Sequence, residues 1–306
     1  MDPFVVHILG CGSALPTLKH NPSCQVVEIR GKMFMLDCGE GAQTALRRSK
    51  INFQRIRAIF ISHLHGDHCF GLIGFISTLG LLDRTAPLHI YAPAEMKPLL
   101  DLQLQMFFRP PSFEVVFHAV DTTKQEIIYE DHSLTVTTIP LEHRIPCCGY
   151  LLKEKPTLPH IRPDMLEFYK IPFSQVGNIK NGADWVTDEG ERIANERLVR
   201  PADAPRSYAY CSDTRYVPTL HERIKNVSLL YHESTYDEAN LDRAERYFHS
   251  TGAQAATVAR DAEAHQLLLG HYSARYSDEG PILEEAQKIF PNTILSQEGM
   301  AVDVKN

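Results

Sequence analysis

One short segment restricts the fold of this chain more than any other feature of its sequence. The apolar run RAIFIS ends at Ser62, and the next six positions, His63 to His68, hold three histidines and one aspartate. Imidazole and carboxylate groups are costly to bury together unless a positive charge satisfies them, as a divalent metal ion does. The sequence therefore predicts a strand whose end delivers this segment to a metal site.

Composition is that of a globular protein. Hydrophobic residues make up 43% and charged residues 23% of the 306 positions, and no apolar run reaches the length that spans a bilayer. We expect no membrane segment and no export signal, because the start MDPFVVHILG lacks a basic region and a cleavage site. The seven cysteines form an odd set without CxxC spacing, which indicates free thiols in a cytoplasmic protein.

The charge balance gives no general support to nucleic-acid binding. The net charge is -7, so any such role needs cations that are clustered locally. One cluster contains Arg47, Arg48, Lys50, Arg55 and Arg57 without an acid between them. A solvated helix face explains this cluster equally well, and both interpretations stay open.

Strand-like runs predict two sheets rather than one doubly wound sheet. Eleven runs are rich in β-branched or aromatic residues, and several follow one another without a helical pattern between them. This order favours an α/β fold, a two-sheet sandwich with helical outer layers, over residues 1–306 as a single domain. Residues 153–205 are rich in Pro, Lys, Glu, Asp and Asn and interrupt the sheet pattern, which predicts an inserted arm.

Further metal ligands are predicted at the ends of other strands. A loop after a strand can aim His63 and His65 one way and Asp67 and His68 another, so one segment can supply two adjacent metals. The remaining ligands are expected from residues that each follow an apolar strand-like run: His143, Asp213 and His271. A lone histidine is more often a packed or surface residue than a ligand, but this many at strand ends favour one shared site.

The pattern HxHxDH, followed by a distant His, an Asp after a strand and a final His, resembles the metallo-β-lactamase superfamily. Finer motifs are similar to those of the tRNase Z (ribonuclease Z) family, short form, over nearly the whole chain. These motifs are ILGCGSALPT at 8–17, HLHGDHCFGLIG at 63–74, CSDTR at 211–215, YHEST at 231–235, HSTGAQAA at 249–256 and LLLGHYSARY at 267–276. The resemblance implies an αββα four-layer sandwich with a flexible arm.

The resemblance also implies a two-zinc centre. One Zn²⁺ would be held by His63, His65 and His143, and the second by Asp67, His68 and His271. Asp213 would bridge the two ions. Asp67 would also accept a proton, His249 would donate one to the leaving group, and Glu233 would orient His249. Without the resemblance, His249 reads as a residue that starts a helix beside Ser250 or Thr251.

The substrate implied by the resemblance is precursor tRNA, cut so that the tRNA keeps a 3′-hydroxyl. The implied assembly is a homodimer in which the arm clamps the RNA. Expected RNA contacts are the basic residues of the cluster and the arm, namely Arg47, Arg48, Lys153, Lys155, Lys170 and Lys180. Two alternatives remain open from the sequence: a hydrolase of another ester on the same fold, and a noncatalytic RNA-binding protein with structural metals.

Eight other histidines show no pattern of partners in the sequence, and no role is assigned to them. They are His7, His20, His89, His118, His132, His160, His221 and His265.

Overall fold

Two seven-stranded sheets form the framework of the protein in a computed structural model that describes residues 2–108 and 112–306. The first sheet consists of β1 (Phe4–Gly10), β2 (Cys24–Ile29), β3 (Lys32–Leu36), β4 (Ile56–Phe60), β5 (Leu88–Pro93), β6 (Val115–Val120) and β18 (Ala301–Asp303). Their order is β18-β1-β2-β3-β4-β5-β6. The pairs from β3 to β6 are parallel, and the pairs from β18 to β3 are antiparallel.

The second sheet consists of β7 (Ile127–Glu130), β8 (Leu134–Pro140), β9 (Cys148–Glu154), β14 (Ser207–Cys211), β15 (Leu229–Glu233), β16 (Gln266–Gly270) and β17 (Thr293–Leu295). Their order is β17-β16-β15-β14-β9-β8-β7, and β14 to β17 are mutually parallel. Parallel neighbours end at the same edge, so residues that follow β14, β15 and β16 meet there.

Helices cover the outer face of each sheet. Those beside the first sheet are α1 (Ala42–Arg48), α2 (Gly66–Cys69), α3 (Leu72–Leu81) and α4 (Met96–Phe107), and their apolar residues share a core with β2 to β5. Those that follow strands of the second sheet are α8 (Leu220–Arg223), α9 (Leu241–Tyr247), α10 (Gly252–Asp261) and α11 (Gly280–Ile289), of which α10 and α11 contact β15 to β17. The predicted αββα four-layer sandwich is confirmed.

The inner faces of the sheets meet through aromatic side chains. The rings of Phe60 in β4 and Tyr150 in β9 have centroids 5.3 Å apart. The Tyr150 hydroxyl donates to the carbonyl of Ile61 at 2.6 Å, and the buried Tyr208 hydroxyl bonds to Gln25. Buried Tyr needs such partners, because an unpaired hydroxyl inside a core is destabilising. These bonds fix the register of one sheet against the other just below the end of β4.

The β2–β3 connection shows how local sequence sets the framework. Ile29 pairs with Lys32, which leaves Arg30 and Gly31 as a two-residue turn. Their φ angles are 47° and 76°, the left-handed values of a type I′ turn, which matches the twist of the flanking strands. β2 and β3 are thereby held in register.

A second compact unit comprises residues 132–134 and 154–205. Two short antiparallel pairs occur in it, β10 (His160–Ile161) with β13 (Val199–Arg200), and β11 (Trp185–Val186) with β12 (Arg192–Ile193). Its helices are α5 (Pro163–Phe168), α6 (Val176–Lys180) and α7 (Asn195–Leu198). A small core of Ile171, Ile179, Ile193 and Leu198 stabilises it, whereas Phe168 and Phe173 are exposed.

None of the helices in the described part of the chain is both long enough and apolar enough to cross a bilayer.

Candidate active site and metal centre

The predicted metal ligands come together as two groups at one end of the sheets. In the first group, His63, His65, His143 and Asp213 each offer a ligand atom, and all four atoms lie within 4.8 Å of one another. Nδ1 of His65 lies 3.0 Å from Nε2 of His63 and 3.2 Å from Nε2 of His143. Such closely spaced imidazole nitrogens face one common point, which is the arrangement of a metal site.

The second group consists of Asp67, His68 and His271, whose ligand atoms also lie within 4.8 Å of one another. Nε2 of His68 is 3.3 Å and Nε2 of His271 is 3.6 Å from Oδ2 of Asp67. Two nitrogens and one carboxylate oxygen therefore face a second point.

Asp213 connects the two groups through its two oxygen atoms. Oδ2 lies 3.6 Å from Nε2 of His63 and 3.8 Å from Nε2 of His143. Oδ1 lies 3.4 Å from Nε2 of His68 and 3.1 Å from Nε2 of His271. One carboxylate thus faces both points, as a bridging ligand does in a two-metal site.

The chain reaches the site from the ends of β4, β8, β14 and β16. After β4, His63 and His65 lie in an extended segment, and α2 then begins, which turns Asp67 and His68 towards the second point. The sequence predicted a loop here, and the short helix accounts for the change of direction. His271 follows β16 directly with a φ of 62°, a left-handed value that is uncommon for a non-glycine residue.

A buried aspartate orients two of the histidines. Nδ1 of His68 donates to Oδ2 of Asp37 at 2.7 Å. The Ser62 hydroxyl also donates to Asp37, at 2.9 Å, so its oxygen accepts from Nδ1 of His63 at 2.9 Å. Each Nδ1 therefore carries the hydrogen, and each Nε2 presents its lone pair to the site.

The same arrangement holds for two further histidines. Nδ1 of His143 donates to the carbonyl of Phe248 at 2.9 Å. The Thr235 hydroxyl donates to Glu233 at 2.7 Å, so its oxygen accepts from Nδ1 of His271 at 2.9 Å. Their Nε2 atoms also remain available, and outer contacts of this kind are typical of histidines that bind metal.

The residues fit metal ions by a direct criterion. Nε2 of His68 and Nε2 of His271 are buried without a hydrogen-bond partner, although an unpaired buried polar atom is destabilising. Burial lowers the pKa of His63, His65 and His143, which favours the neutral form that ligates metal, whereas at His68 the carboxylates of Asp213 and Asp37 outweigh burial and raise the pKa. A cation at the second point would satisfy both unpaired nitrogens.

Next to the metal groups lies an acid–histidine pair. Nδ1 of His249 is 2.8 Å from Oε1 of the fully buried Glu233, whose other oxygen accepts from Thr235. Burial opposes the charged form of His249, but Glu233 outweighs it and raises the pKa. His249 follows Phe248, which ends α9 in the left-handed conformation, and Thr251 then caps α10. An imidazole whose charged form is favoured by Glu233 is thereby held beside the two groups.

Basic side chains line the cleft above the site, and the sequence analysis missed them. The cleft has a volume of about 670 Å³, and its lining includes Arg144, Arg243 and Arg275 together with Tyr236 and Tyr247. Guanidinium groups of Arg144 and Arg275 lie over the Tyr247 and Tyr236 rings, at 5.9 and 5.4 Å. These arginines are scattered along the sequence, so only their shared cleft distinguishes them from other surface cations.

The residues predicted to contact RNA lie in other parts of the chain than the arginines of the cleft. Arg47 and Arg48 end α1 with exposed side chains, and neither they nor Lys153 belong to the described lining of the cleft. Lys155, Lys170 and Lys180 lie in the second compact unit.

Some histidines to which the sequence gave no partner do have partners. The ring of His20 lies between two carboxylates, with Nδ1 2.9 Å from Glu298 and Nε2 3.2 Å from Glu279. His89 and His118 face each other at 3.0 Å. The sequence shows no pattern for these pairs because the partners lie on other strands or far along the chain.

Comparison with known proteins gives concordant results. A family model described as Anti-Pycsar protein Apyc1 matches residues 4–159. Ribonuclease Z of Bacteroides fragilis strain YCH46 is 55% identical over 304 residues, covering 99% of this chain and 100% of that protein. Among solved structures, human tRNase Z, short form, aligns with a TM-score of 0.72 and 24% identity, covering 99% of this chain and 100% of that one. The metallo-β-lactamase fold protein YhfI of Bacillus subtilis aligns at 0.68 and 17%, with the same coverage.

The two structural alignments support the fold, and the alignment with the Bacteroides protein spans 99% of this chain. Since that alignment spans nearly the whole sequence, whereas the Apyc1 model covers about half of it, the chain belongs to the ribonuclease Z family.

Proposed function

We propose that two zinc ions at the paired groups form the catalytic centre of a tRNA 3′-processing endoribonuclease. Membership of the ribonuclease Z family makes the protein an endoribonuclease of this kind, with tRNA as its substrate. The observation that carries the two-ion centre is Asp213, whose separate oxygens face two sets of nitrogens. One ion is assigned to His63, His65, His143 and Asp213, and the other to Asp67, His68, His271 and Asp213.

The reaction is hydrolysis of the phosphodiester between the tRNA and its 3′ trailer. Water adds to phosphorus, the bond from phosphorus to the ribose 3′-oxygen breaks, and the tRNA keeps a 3′-hydroxyl. When bound, two zinc ions would acidify the attacking water and neutralise charge on the phosphate. No covalent link to the protein is needed, because water itself is the nucleophile.

Asp67 is the proposed acceptor of the proton that the attacking water loses. Burial opposes the ionised carboxylate, but His271 and His68 outweigh it and lower the pKa. Asp67 is therefore ionised at neutral pH and able to accept a hydrogen bond from water. The Ala14 N–H donates to its Oδ2 at 2.8 Å and fixes its position.

His249 is the proposed donor of the proton that the departing 3′-oxygen gains. Its bond to Glu233 occupies Nδ1 and leaves Nε2 as the donor atom. Glu233 both orients the ring and stabilises its charged form, as a buried carboxylate does for other catalytic histidines.

RNA binding is proposed to depend on the cleft and on the arm. Arg144, Arg243 and Arg275 place positive charge around the site in a protein whose net charge is -7. The arm, with Lys155, Lys170 and Lys180, adds further cationic contacts to the RNA. We also infer a homodimer in which the arm of one subunit holds RNA bound at the other, and a cytoplasmic location, consistent with seven free cysteines.

Cleavage of a precursor tRNA with a labelled trailer tests the proposal. The purified protein should release the trailer as one fragment and leave a 3′-hydroxyl on the tRNA, and Asp67→Ala should still bind the precursor without cutting it. Binding without cleavage by the unaltered, metal-loaded protein would contradict the proposed activity.

A further inference from the structure

The segment between β1 and β2 forms one wall of the active-site cleft. We call residues 13–19 the wall loop, because Ser13, Ala14, Leu15 and Pro16 all line the cleft. Its first part is fixed by the backbone: the Ser13 N–H donates to the carbonyl of Tyr272 at 3.0 Å, and the Ala14 N–H donates to Asp67. This start is therefore tied directly to the metal groups.

The far end of the wall loop is fixed by a side chain. The His20 N–H donates to the Thr17 hydroxyl oxygen at 2.8 Å, and the Thr17 N–H donates to the His20 carbonyl at 3.0 Å, which closes a tight turn. The ring of His20 then reaches Glu298, between β17 and β18, and Glu279, just before α11. One imidazole thus connects the loop to two distant parts of the chain.

The arrangement requires His20 to be charged. Both ring nitrogens face carboxylates, so both must donate, and only the imidazolium form does this. Burial lowers the pKa of His20, but Glu298 and Glu279 outweigh it and the pKa is raised. Lys19 also bonds to Glu279, and the ring of Tyr272 packs at 5.5 Å.

Cys11, His20 and Glu298 each present a ligand atom within 4.8 Å of the others, which is the spacing that a third metal site would need. The contacts argue against it. Glu298 already accepts from the Asn21 N–H at 2.9 Å and pairs with Nδ1 of His20. Burial and Glu298 raise the pKa of the Cys11 thiol well above its usual range, so Cys11 is a neutral thiol rather than a thiolate ligand.

We propose that His20, clamped between Glu279 and Glu298, is a positioning residue that holds the wall loop in place and so selects RNA over smaller phosphodiesters. The inference rests on the proposed RNA substrate. Leu15 is 64% exposed at the cleft, whereas His20 and Glu279 of the clamp are buried. A small diester reaches the metal groups without spanning the cleft. An RNA strand must contact the wall loop to reach the metal groups. Loss of the clamp therefore raises the KM for RNA.

The experiment compares kcat/KM for precursor tRNA with kcat/KM for bis(p-nitrophenyl) phosphate in the full chain. His20→Ala should lower the ratio of the two about tenfold or more, mainly through the KM for RNA, since hydrogen bonds to charged groups are among the stronger ones. His20→Arg retains a cation with several donors and should recover most of the ratio. Thermal unfolding of each variant shows whether the fold is intact.

Two exposed leucines of the same loop provide a matched pair that does not threaten folding. Leu15 lines the cleft and Leu18 does not, although Leu18 is fully exposed. Leu15→Ala should lower the ratio in the same direction as His20→Ala, and Leu18→Ala should leave the ratio where it is. Equal effects of both leucine variants would overturn the role of the wall.

The remaining outcomes are also decisive. An unchanged ratio in folded His20→Ala, or a failure of folded His20→Arg to recover it, would overturn the clamp. Loss of one bound metal ion per chain in His20→Ala would instead identify a ligand. Failure of the unaltered protein to cut precursor tRNA would count against the proposed function and not against the clamp.

Discussion

The protein contains two clusters of histidines and carboxylates, the metal centre and the His20 clamp. They differ in the hydrogen bonding of their ring nitrogens. At the metal centre, Nε2 of His68 and Nε2 of His271 have no hydrogen-bond partner. At the clamp, both ring nitrogens of His20 are paired with carboxylates. At the metal centre the side chains leave ring nitrogens unpaired, which a bound cation would satisfy. At the clamp, similar side chains pair both ring nitrogens within the protein.

This difference in the pairing of ring nitrogens shows how the protein groups alone identify a metal site. Closeness of acids and histidines is common to both clusters and decides nothing. What separates them is Nε2. At the metal centre, Asp37, Ser62, Thr235 or the Phe248 carbonyl holds Nδ1 of four histidines and directs each Nε2 towards a shared point, whereas at the clamp Nε2 of His20 is itself bonded to Glu279. The hydrogen bonds that hold Nδ1 of the ligating histidines therefore help to identify the metal site, as the ligands do.

Replacing one carboxylate in each cluster gives the largest expected contrast. Asp213→Asn should remove both ions and reduce RNA cleavage to the limit of detection, because Asp213 faces both points. His143→Ala should mainly empty one site. Glu298→Gln should retain full metal content, since the clamp needs none. Metal analysis of the purified variants measures this, and a loss of metal from Glu298→Gln would remove the distinction between the clusters.

His249→Ala tests a histidine that is near the metal centre but is not assigned as a ligand. Removing a general acid lowers kcat by about 10²- to 10⁴-fold and leaves ground-state binding largely intact. Glu233→Gln should lower kcat in the same direction but less, since it weakens the charge without removing the ring. Single-turnover cleavage at saturating enzyme separates kcat from binding. If His249→Ala lost zinc, the residue would be a ligand and its assignment wrong.

Thr235→Val tests the importance of the outer hydrogen bonds. Valine keeps the shape but leaves Nδ1 of His271 without its acceptor and Glu233 with one donor fewer. Zinc affinity should fall by about 10- to 100-fold, as expected when an outer partner of a metal ligand is lost. Thr235→Ser, which keeps the hydroxyl, is the control. Competition with a chelator measures the affinity, and equal affinities in the two variants would count against the orienting role.

The smallest effects are expected for cations that are not among the described residues lining the cleft. Reversing the charge of Lys170 and Lys180 in the arm, or of Arg47 and Arg48 in α1, should weaken precursor binding and reduce its salt dependence by roughly one unit of slope for each lost phosphate contact. The same change at Lys225, an exposed residue paired with Glu263, is the control. Precursor binding measured over a range of salt concentrations distinguishes these variants from the control. Slopes identical to that of the unaltered protein would assign RNA recognition to the cleft alone.

Much of the fold could be predicted because its strands are buried and repeat simple patterns. Each of the eleven strand-like runs coincides with a strand, from β1 to β16. β7, β17 and β18 were missed because they are short and lie at sheet edges, where partial exposure weakens the apolar signal. The four-residue helix α2 was missed because four positions are too few to show helical periodicity.

The metal ligands could be predicted where they cluster in the sequence or directly follow a strand-like run. His63 to His68 indicate a metal directly, and His143, Asp213 and His271 follow from their positions after strands. Arg144, Arg243 and Arg275 could not be found, because each is an ordinary surface cation until the fold places them around one cleft. The partners of His20 lie more than 250 residues away, so no local pattern marks the clamp.

Titration of metal-free protein with zinc tests the two-ion centre most directly. Activity on precursor tRNA should require two equivalents of zinc per chain, and metal analysis of the fully active protein should find two tightly bound ions. Full activity at one equivalent, with at most one tightly bound ion, would contradict a shared Asp213 and the two-ion reaction that depends on it.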